Sequence, residues 1–161
     1  MNKKGIGGAG CNAIHNMKKS NLEGMEFIAC NTDIQSLNYS GANKIIQLGK
    51  VSTKGMGAGS VPDKGKEAAE ESLDEVLNSL KDCNMLFITA GLGGGTGTGA
   101  SSVIAKACKS KGILTVGVVT KPFDFEGKYR NRICEKGLEE LGKKNILFTQ
   151  LKFKFIFRTS C

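Results

Sequence analysis

The chain has 161 residues, 40% of them hydrophobic and 24% charged, a balance that suits one domain of ordinary size and excludes a disordered or collagen-like chain. No apolar run approaches the roughly 18 residues of a membrane-spanning helix. The basic start Met1-Asn2-Lys3-Lys4 leads into glycine-rich sequence rather than an apolar core. Direct membrane insertion and a secretory signal are therefore not expected, and the expected location is cytoplasmic.

The formal charge of +8 is spread over lysines that occur singly and in pairs, with little aromatic interleaving. That pattern reads as a solvated basic surface with nucleotide phosphates as its partner, not nucleic acid. The six cysteines, Cys11, Cys30, Cys83, Cys108, Cys134 and Cys161, form no C-x-x-C pair, and His15 stands alone, so no metal site is expected. They read as reduced thiols.

In chain order, only Met1–Lys4 precede Gly5, so a first strand is expected to be missing or very short. The glycine loop Gly5-Ile6-Gly7-Gly8-Ala9-Gly10 opens a helix expected over Asn12–Ser20. Strands follow at Glu26–Cys30 and Lys44–Leu48, then a second glycine cluster at Gly55, Gly57 and Gly59. A helix is expected over Pro62–Lys81, with Pro62 in its first turn and Asp63 at the positive end of its dipole. Ala68, Ala69, Leu73, Val76, Leu77 and Leu80 form its apolar stripe, and Glu67, Glu70, Glu71, Asp74 and Glu75 a solvated face. A strand at Met85–Ala90 leads to a third glycine cluster, Gly91 to Gly99. Then come a helix at Gly99–Lys111, a strand at Leu114–Thr120, a helix at Gly127–Lys143 and a strand at Ile146–Thr149. Strand–helix alternation predicts an α/β, Rossmann-like fold, a mostly parallel sheet with helices on both faces. From Leu147 to Arg158 apolar and polar residues alternate. This segment reads either as an edge strand with lysines on one face or as sequence unrelated to the fold. The second reading sets the domain at 1–146 with an unmatched tail at 147–161, and the fold as incomplete at both ends.

Glycine lets backbone N–H groups approach a ligand with no side chain between, and a glycine loop that opens a helix adds the helix dipole. Gly5 to Gly10 fits G-x-G-x-x-G, and Asp33 lies where a dinucleotide fold places its ribose-binding acid. A nicotinamide-dependent oxidoreductase is thus one reading. The run Gly93-Gly94-Gly95-Thr96-Gly97-Thr98-Gly99 argues for another. It supplies a second phosphate loop with two hydroxyls, suited to a nucleotide with a long phosphate tail, and lacks the Gly-Lys-Ser/Thr of a Walker A loop.

Gly93–Gly99 resembles the signature of the tubulin/FtsZ family. Gly8-Ala9-Gly10-Cys11-Asn12-Ala13, Asn31-Thr32-Asp33, Lys54-Gly55-Met56-Gly57-Ala58-Gly59 and Val119 through Gly127, followed by Arg130, are similar to further family segments, over roughly residues 5–146. The resemblance implies a GTP/GDP site, with Mg2+ carried by the nucleotide and no metal ligand from the chain. It implies that the amides of Gly8, Ala9, Gly10, Cys11 and Asn12, and of Gly94, Gly95, Thr96 and Gly97 with Thr98, hold phosphates. Asp33 and Pro122 belong to the nucleotide loops. Ala58 and Gly59 lie near the γ-phosphate, Glu126 takes the ribose hydroxyls, and Arg130 approaches the phosphates. Cys11 stands where the family commonly has glycine, and is expected to crowd the loop if the backbone there needs positive φ.

The resemblance further implies head-to-tail filaments at a division site, in which a neighbouring subunit's acidic loop completes the active site. No such loop, central base-contacting helix or C-terminal domain is recognised here, so no catalytic residue is assigned. Weak nucleotide binding, little hydrolysis and capping of full-length subunits are the expectations. A non-functional remnant is the alternative, and a nucleic-acid module, suggested by charge alone, is a lesser one.

Overall fold

The computed structural model describes residues 2–20, 24–144 and 146–151. The elements are β1 (Asn2–Ile6), α1 (Gly7–Lys19), β2 (Glu26–Asn31), α2 (Ile34–Tyr39), β3 (Lys44–Gln47), α3 (Pro62–Glu71), α4 (Leu73–Asn78), β4 (Met85–Gly91), α5 (Gly95–Ser110), β5 (Leu114–Thr120), a 3-10 turn (Asp124–Glu126), α6 (Lys128–Lys143) and β6 (Leu147–Leu151). One sheet carries all six strands in the order β3-β2-β1-β4-β5-β6, every pair parallel. This is the doubly wound order, in which the direction of winding reverses between β1 and β4.

Two expectations about the ends are corrected. The first strand is present and sits mid-sheet, with Lys4 in register with Ile28 on one side and Ile88 on the other. Five residues suffice because both neighbours supply hydrogen bonds. At the other end, Leu147–Leu151 is a strand, not an unmatched tail, in register with Val116–Thr120 of β5. Its alternation is that of a sheet edge, with Leu147 exposed and Phe148 packed on the core. The rest of that segment, 152–161, lies outside the described residues.

Side-chain alternation along β2 divides the interior. Phe27 and Ala29 pack with Cys11 and Ile14 of α1 and Leu37 of α2. Ile28 and Cys30 face the larger core, built from Leu86, Ile88 and Ala90 of β4 and from α3, α4, α5 and α6. Ile28, Ile46, Leu86 and Ile104 are fully buried, each contributing about 1.5–3 kcal/mol by leaving water.

The long helix expected at 62–81 is broken at Ser72, whose φ of −101° and ψ of 10° separate α3 from α4. The Ser72 hydroxyl accepts the Gly49 N–H at 2.9 Å, tying the break to the loop after β3. The apolar stripe holds, with Ala68, Ala69, Val76 and Leu80 buried. The acidic face is exposed, as expected, and two of its members also tie down the loop after β3: Glu71 accepts the N–H groups of Val51 and Ser52, and Glu75 pairs with Lys50 at 3.0 Å. The Val51 amide, with Ser52 behind it, holds the Glu71 carboxyl below its ordinary range.

Candidate nucleotide site at the sheet switch point

At the carboxyl ends of β1 and β4, where the winding reverses, two glycine-rich helix starts lie side by side. α1 begins at Gly7, five residues before the expected Asn12, and α5 at Gly95, four before the expected Gly99. Gly7, Gly8, Gly10, Gly95 and Gly97, read as loop, therefore lie in the first turns of helices. The cap of α5 is Gly94, extended at φ −102° and ψ −178°, with no side-chain cap bond. The first N–H groups of a helix have no acceptor within it, so the amides of Gly95, Thr96 and Gly97 are directed at whatever lies beyond that end.

The glycines serve two purposes. A Cβ on Gly95 would stand 2.8 Å from the Val61 nitrogen and 2.9 Å from the Ala58 Cβ. On Gly97 it would overlap the Gly91 carbonyl, and on Gly99 the Pro62 carbonyl and the Lys66 nitrogen. On Gly91 it would meet the Ala9 Cβ at 2.5 Å. Gly95, Gly97 and Gly99 are bare so that α5 can lie against β4, α3 and the Ala58–Val61 loop, and Gly91 so that α1 can lie against β4. Gly93 needs glycine for its φ of 98°. Gly94 is different: a Cβ there meets nothing within 4 Å, and the residue faces an open cleft.

That cleft, of about 380 Å³, is walled on one side by Ala9, Gly91, Leu92 and Gly94 through Gly97, and on the other by Thr120 through Phe123 with Glu126 and Arg130. The second wall is charged. Glu126 accepts the Phe123 N–H at 2.8 Å and the Arg130 guanidinium at 2.7 Å. The Phe123 amide first, and Arg130 after it, hold the Glu126 carboxyl below its usual range. Lys121 pairs with Glu135 of α6 at 2.9 Å, and Phe123 stacks on Phe125 with ring centroids 5.1 Å apart. The cleft thus offers unpartnered amides at a positive helix end opposite a guanidinium, an arrangement chemically suited to a phosphorylated ligand.

The sequence-predicted residues divide on this geometry. Ala9, Gly94, Gly95, Thr96, Gly97, Pro122, Glu126 and Arg130 line the cleft together. Gly8 and Gly10 are in the first turns of α1. Cys11 and Asn12 lie a turn further on, where helix geometry commits their amides to carbonyls four residues back. Cys11 is not strained: it is helical and buried, its Sγ 3.9 Å from the Asn31 Nδ2, and among the described residues only Lys54 and Ser60 combine a side chain with positive φ. Burial pushes its thiol up to about 12. Thr98 faces away from the cleft. Two residues of helix turn it by about 200° from Thr96, and its Oγ1 accepts the Gly93 N–H at 2.9 Å. Asp33 does not line the cleft and caps α2, its Oδ1 accepting the Gln35 N–H and its Oδ2 the Ser36 hydroxyl.

Ala58 and Gly59 belong to the loop before α3, which docks on Asn31–Ile34: the Gly57 N–H meets the Thr32 carbonyl and the Ile34 N–H the Gly55 carbonyl. That loop reaches α5 where Ala58 meets Gly95. Sequence reasoning passed over Thr32, whose hydroxyl lies 2.6 Å from that of Thr96 and joins the β2 loop to the start of α5. It also passed over Lys121. Both lie inside segments quoted for the resemblance, which was the only signal for them.

Comparison with known proteins gives the same picture. The sequence model of the Tubulin/FtsZ family, GTPase domain, matches residues 4–153. The mitochondrial division protein fszA of Dictyostelium discoideum is 58% identical over 139 residues, 86% of this chain and 27% of that protein. Cell division protein FtsZ of Wolbachia sp is 59% identical over 151 residues, 86% of this chain and 38% of that one. Among solved structures, an empty FtsZ dimer of M. jannaschii superposes with a TM-score of 0.92 at 42% identity, covering 99% of this chain and 48% of the other. The chain thus spans well under half the length of these curated relatives and about half of the solved chain. The family match, the parallel sheet and the paired helix starts at its switch point agree: this chain belongs to the tubulin/FtsZ family and carries its GTPase-domain fold.

Proposed function

We propose that this chain binds GTP and GDP in the cleft between α5 and the Lys121–Arg130 segment, as the nucleotide-binding part of a polymerising cell-division GTPase. The observation that carries the proposal is Gly94: it alone of the glycines in its run stands in open space, beside uncapped amides and opposite Arg130. The amides of Gly95, Thr96 and Gly97, with Ala9 and Arg130, would hold the phosphates. Glu126 would accept the ribose hydroxyls while keeping its bond to the Phe123 amide. Among the described residues no cluster of acids, histidines or cysteines has the makings of a metal site. Mg2+ would therefore enter on the nucleotide and neutralise phosphate charge.

Little hydrolysis by the chain alone follows from the same wall. Its acid in the cleft, Glu126, has both oxygens engaged by Phe123 and Arg130. Activation of water would fall to a carboxylate from another subunit, and a full-length FtsZ subunit stacked head to tail is the proposed source. The division site is then the proposed place of action.

A titration of the chain with a fluorescent GTP analogue and magnesium tests the reading. Saturable binding competed by GDP is expected, and Gly94→Val is expected to weaken it by at least about tenfold, the cost of one lost charge-assisted contact, with an unchanged thermal midpoint. No saturation by the folded wild-type chain would refute the proposal and favour a remnant that keeps the fold without the activity.

A further inference from the structure

At the start of α5 two threonine hydroxyls are joined by a bond whose direction follows from burial. Thr96 is the second residue of α5 and lines the cleft, partly exposed. Thr32, in the turn between β2 and α2, is fully buried and does not line the cleft. Their Oγ1 atoms lie 2.6 Å apart, and on distance alone either could donate.

Each hydroxyl carries one proton and two lone pairs. Among the described residues the Thr32 Oγ1 has no bonding partner but Thr96. If Thr96 donated inward, the Thr32 proton would be left without an acceptor where water does not reach, a costly arrangement. If Thr32 donates, its proton is satisfied by the Thr96 oxygen, and the Thr96 proton is left for an acceptor on the open side. Thr32 is held firmly enough to enforce this choice. Its N–H donates to the Asn31 Oδ1 at 2.8 Å, and its carbonyl accepts the Gly57 N–H at 3.2 Å. Its β-branched side chain is stiff at χ1. Thr98, the other hydroxyl of the glycine run, is no substitute, because it is buried and its Oγ1 accepts the Gly93 N–H.

We propose that Thr32 is a positioning residue of the nucleotide site. By donating to the Thr96 oxygen it holds the Thr96 hydroxyl as a donor for a phosphate oxygen, beside the uncapped amides of Gly95, Thr96 and Gly97. The inference rests on the GTP/GDP reading of the cleft. Thr32 acts through Thr96 alone. In Thr32→Val the Thr96 hydroxyl is free to rotate, and its ordering has to be supplied at the moment of binding.

The test is a double-mutant cycle on the intact chain, titrated with a fluorescent GTP analogue and magnesium, with thermal midpoints measured alongside. Thr96→Val, which removes the donor, is expected to weaken binding about tenfold, the scale of one hydrogen bond to a charged group. Thr32→Val is expected to weaken it about three- to tenfold, the scale of ordering one freed rotor. Thr32→Ser keeps the hydroxyl and is expected to restore binding. The double variant Thr32→Val with Thr96→Val is expected to bind no more weakly than Thr96→Val alone, because Thr32 then has nothing left to position. Thr115→Val, the same change at a buried threonine whose hydroxyl bonds the Ile113 carbonyl, is expected to leave affinity unchanged. Additive losses in the double variant, wild-type affinity in Thr32→Val, or a loss in Thr32→Ser as large as in Thr32→Val would overturn this proposal while leaving the GTP reading intact. Absence of saturation by the folded wild-type chain would overturn both. If Thr32→Val melts early, Thr32→Cys, whose thiol is a much weaker donor, is read in its place, and wild-type affinity there overturns the proposal as well.

Discussion

The two walls of the nucleotide cleft are built on opposite plans. The glycine wall is fixed by backbone touching backbone, Gly97 against Gly91, Gly95 against Val61 and Gly65 against Gly95, and by Gly91 against the Ala9 methyl. The charged wall is fixed by side chains that are partly in water: Glu126 to the Phe123 amide, Arg130 to Glu126, Lys121 to Glu135. Apart from Gly94, which faces the cleft, one wall has no room for an atom; the other has room but depends on a few polar contacts. A substitution at the packed glycines of the first should therefore register as stability, and a substitution at Gly94 or in the second as function.

The largest expected effect is in the first wall. Gly97→Ala sets a Cβ on the Gly91 carbonyl, and neither backbone can yield without moving α5 from β4. The expected loss is about 3 kcal/mol, the upper range for overpacking, or a thermal midpoint lower by about 10 °C in a chain of this size. The matched control is Gly142→Ala in α6, where the new Cβ meets nothing within 4 Å and φ is not positive. There the gain in helix propensity should raise stability by up to about 1 kcal/mol. Circular-dichroism melts of the two variants decide it. A Gly97→Ala variant as stable as the wild type would mean that the glycine wall is not rigid.

The contrast also shows how far the sequence could be read. The α/β class and parallel sheet follow from apolar runs alternating with helical periodicity, and Ala68, Ala69, Val76 and Leu80 are buried as their spacing requires. The run 93–99 announces a special turn, but composition alone cannot say which glycines face a ligand and which face protein. Only the crossing of α3 over α5 makes that distinction. Thr96 and Thr98 look alike in sequence and are separated by the turn of a helix that starts four residues early. Asp33 fits a ribose acid by spacing, yet Gln35 and Ser36 lie close enough to make it a cap. β1 was expected to be missing or very short because only four residues precede Gly5 and Lys3, Lys4 and Gly5 carry no strand signal. Its stability comes from β2 and β4, which are far away in sequence.

A second prediction tests the fixed wall from behind. Cys11 lies in α1 just past Ala9, buried, with its thiol pushed up to about 12 mainly by desolvation. At pH 8 such a thiol is ionised to roughly one part in ten thousand, against about one in four for an ordinary cysteine near 8.5. Alkylation by iodoacetamide, followed by peptide mass mapping, should label Cys83, the most exposed of the described cysteines, well before Cys11. Because this pKa is raised by folding, the stability tied to the neutral thiol is complete below the unfolded value. It declines as pH rises from there toward the folded one. Early labelling of Cys11 would show that the start of α1 opens locally and that the glycine wall moves.

The smallest effect on stability is expected in the charged wall. Glu126→Gln keeps the shape of the side chain and removes its charge, weakening the bond to the Phe123 amide and leaving Arg130 unpaired. Glu126 is partly exposed and Arg130 about half exposed, so the loss should stay under about 1 kcal/mol. The pH dependence has a definite sign. The folded Glu126 carboxyl is depressed by the Phe123 amide and then by Arg130, so its contribution is whole above the unfolded value near 4.3. That contribution is lost as pH falls through the lower, folded value. In melts between pH 3 and 7, wild type and Glu126→Gln should differ at neutral pH and converge in acid. In the same variant Arg130 is released from its ion pair, so nucleotide affinity and stability should move independently. If the melting curves diverged in acid, or if Glu126→Gln cost as much stability as Gly97→Ala, the side-chain wall would be part of the rigid frame, and the division between the two walls would fail.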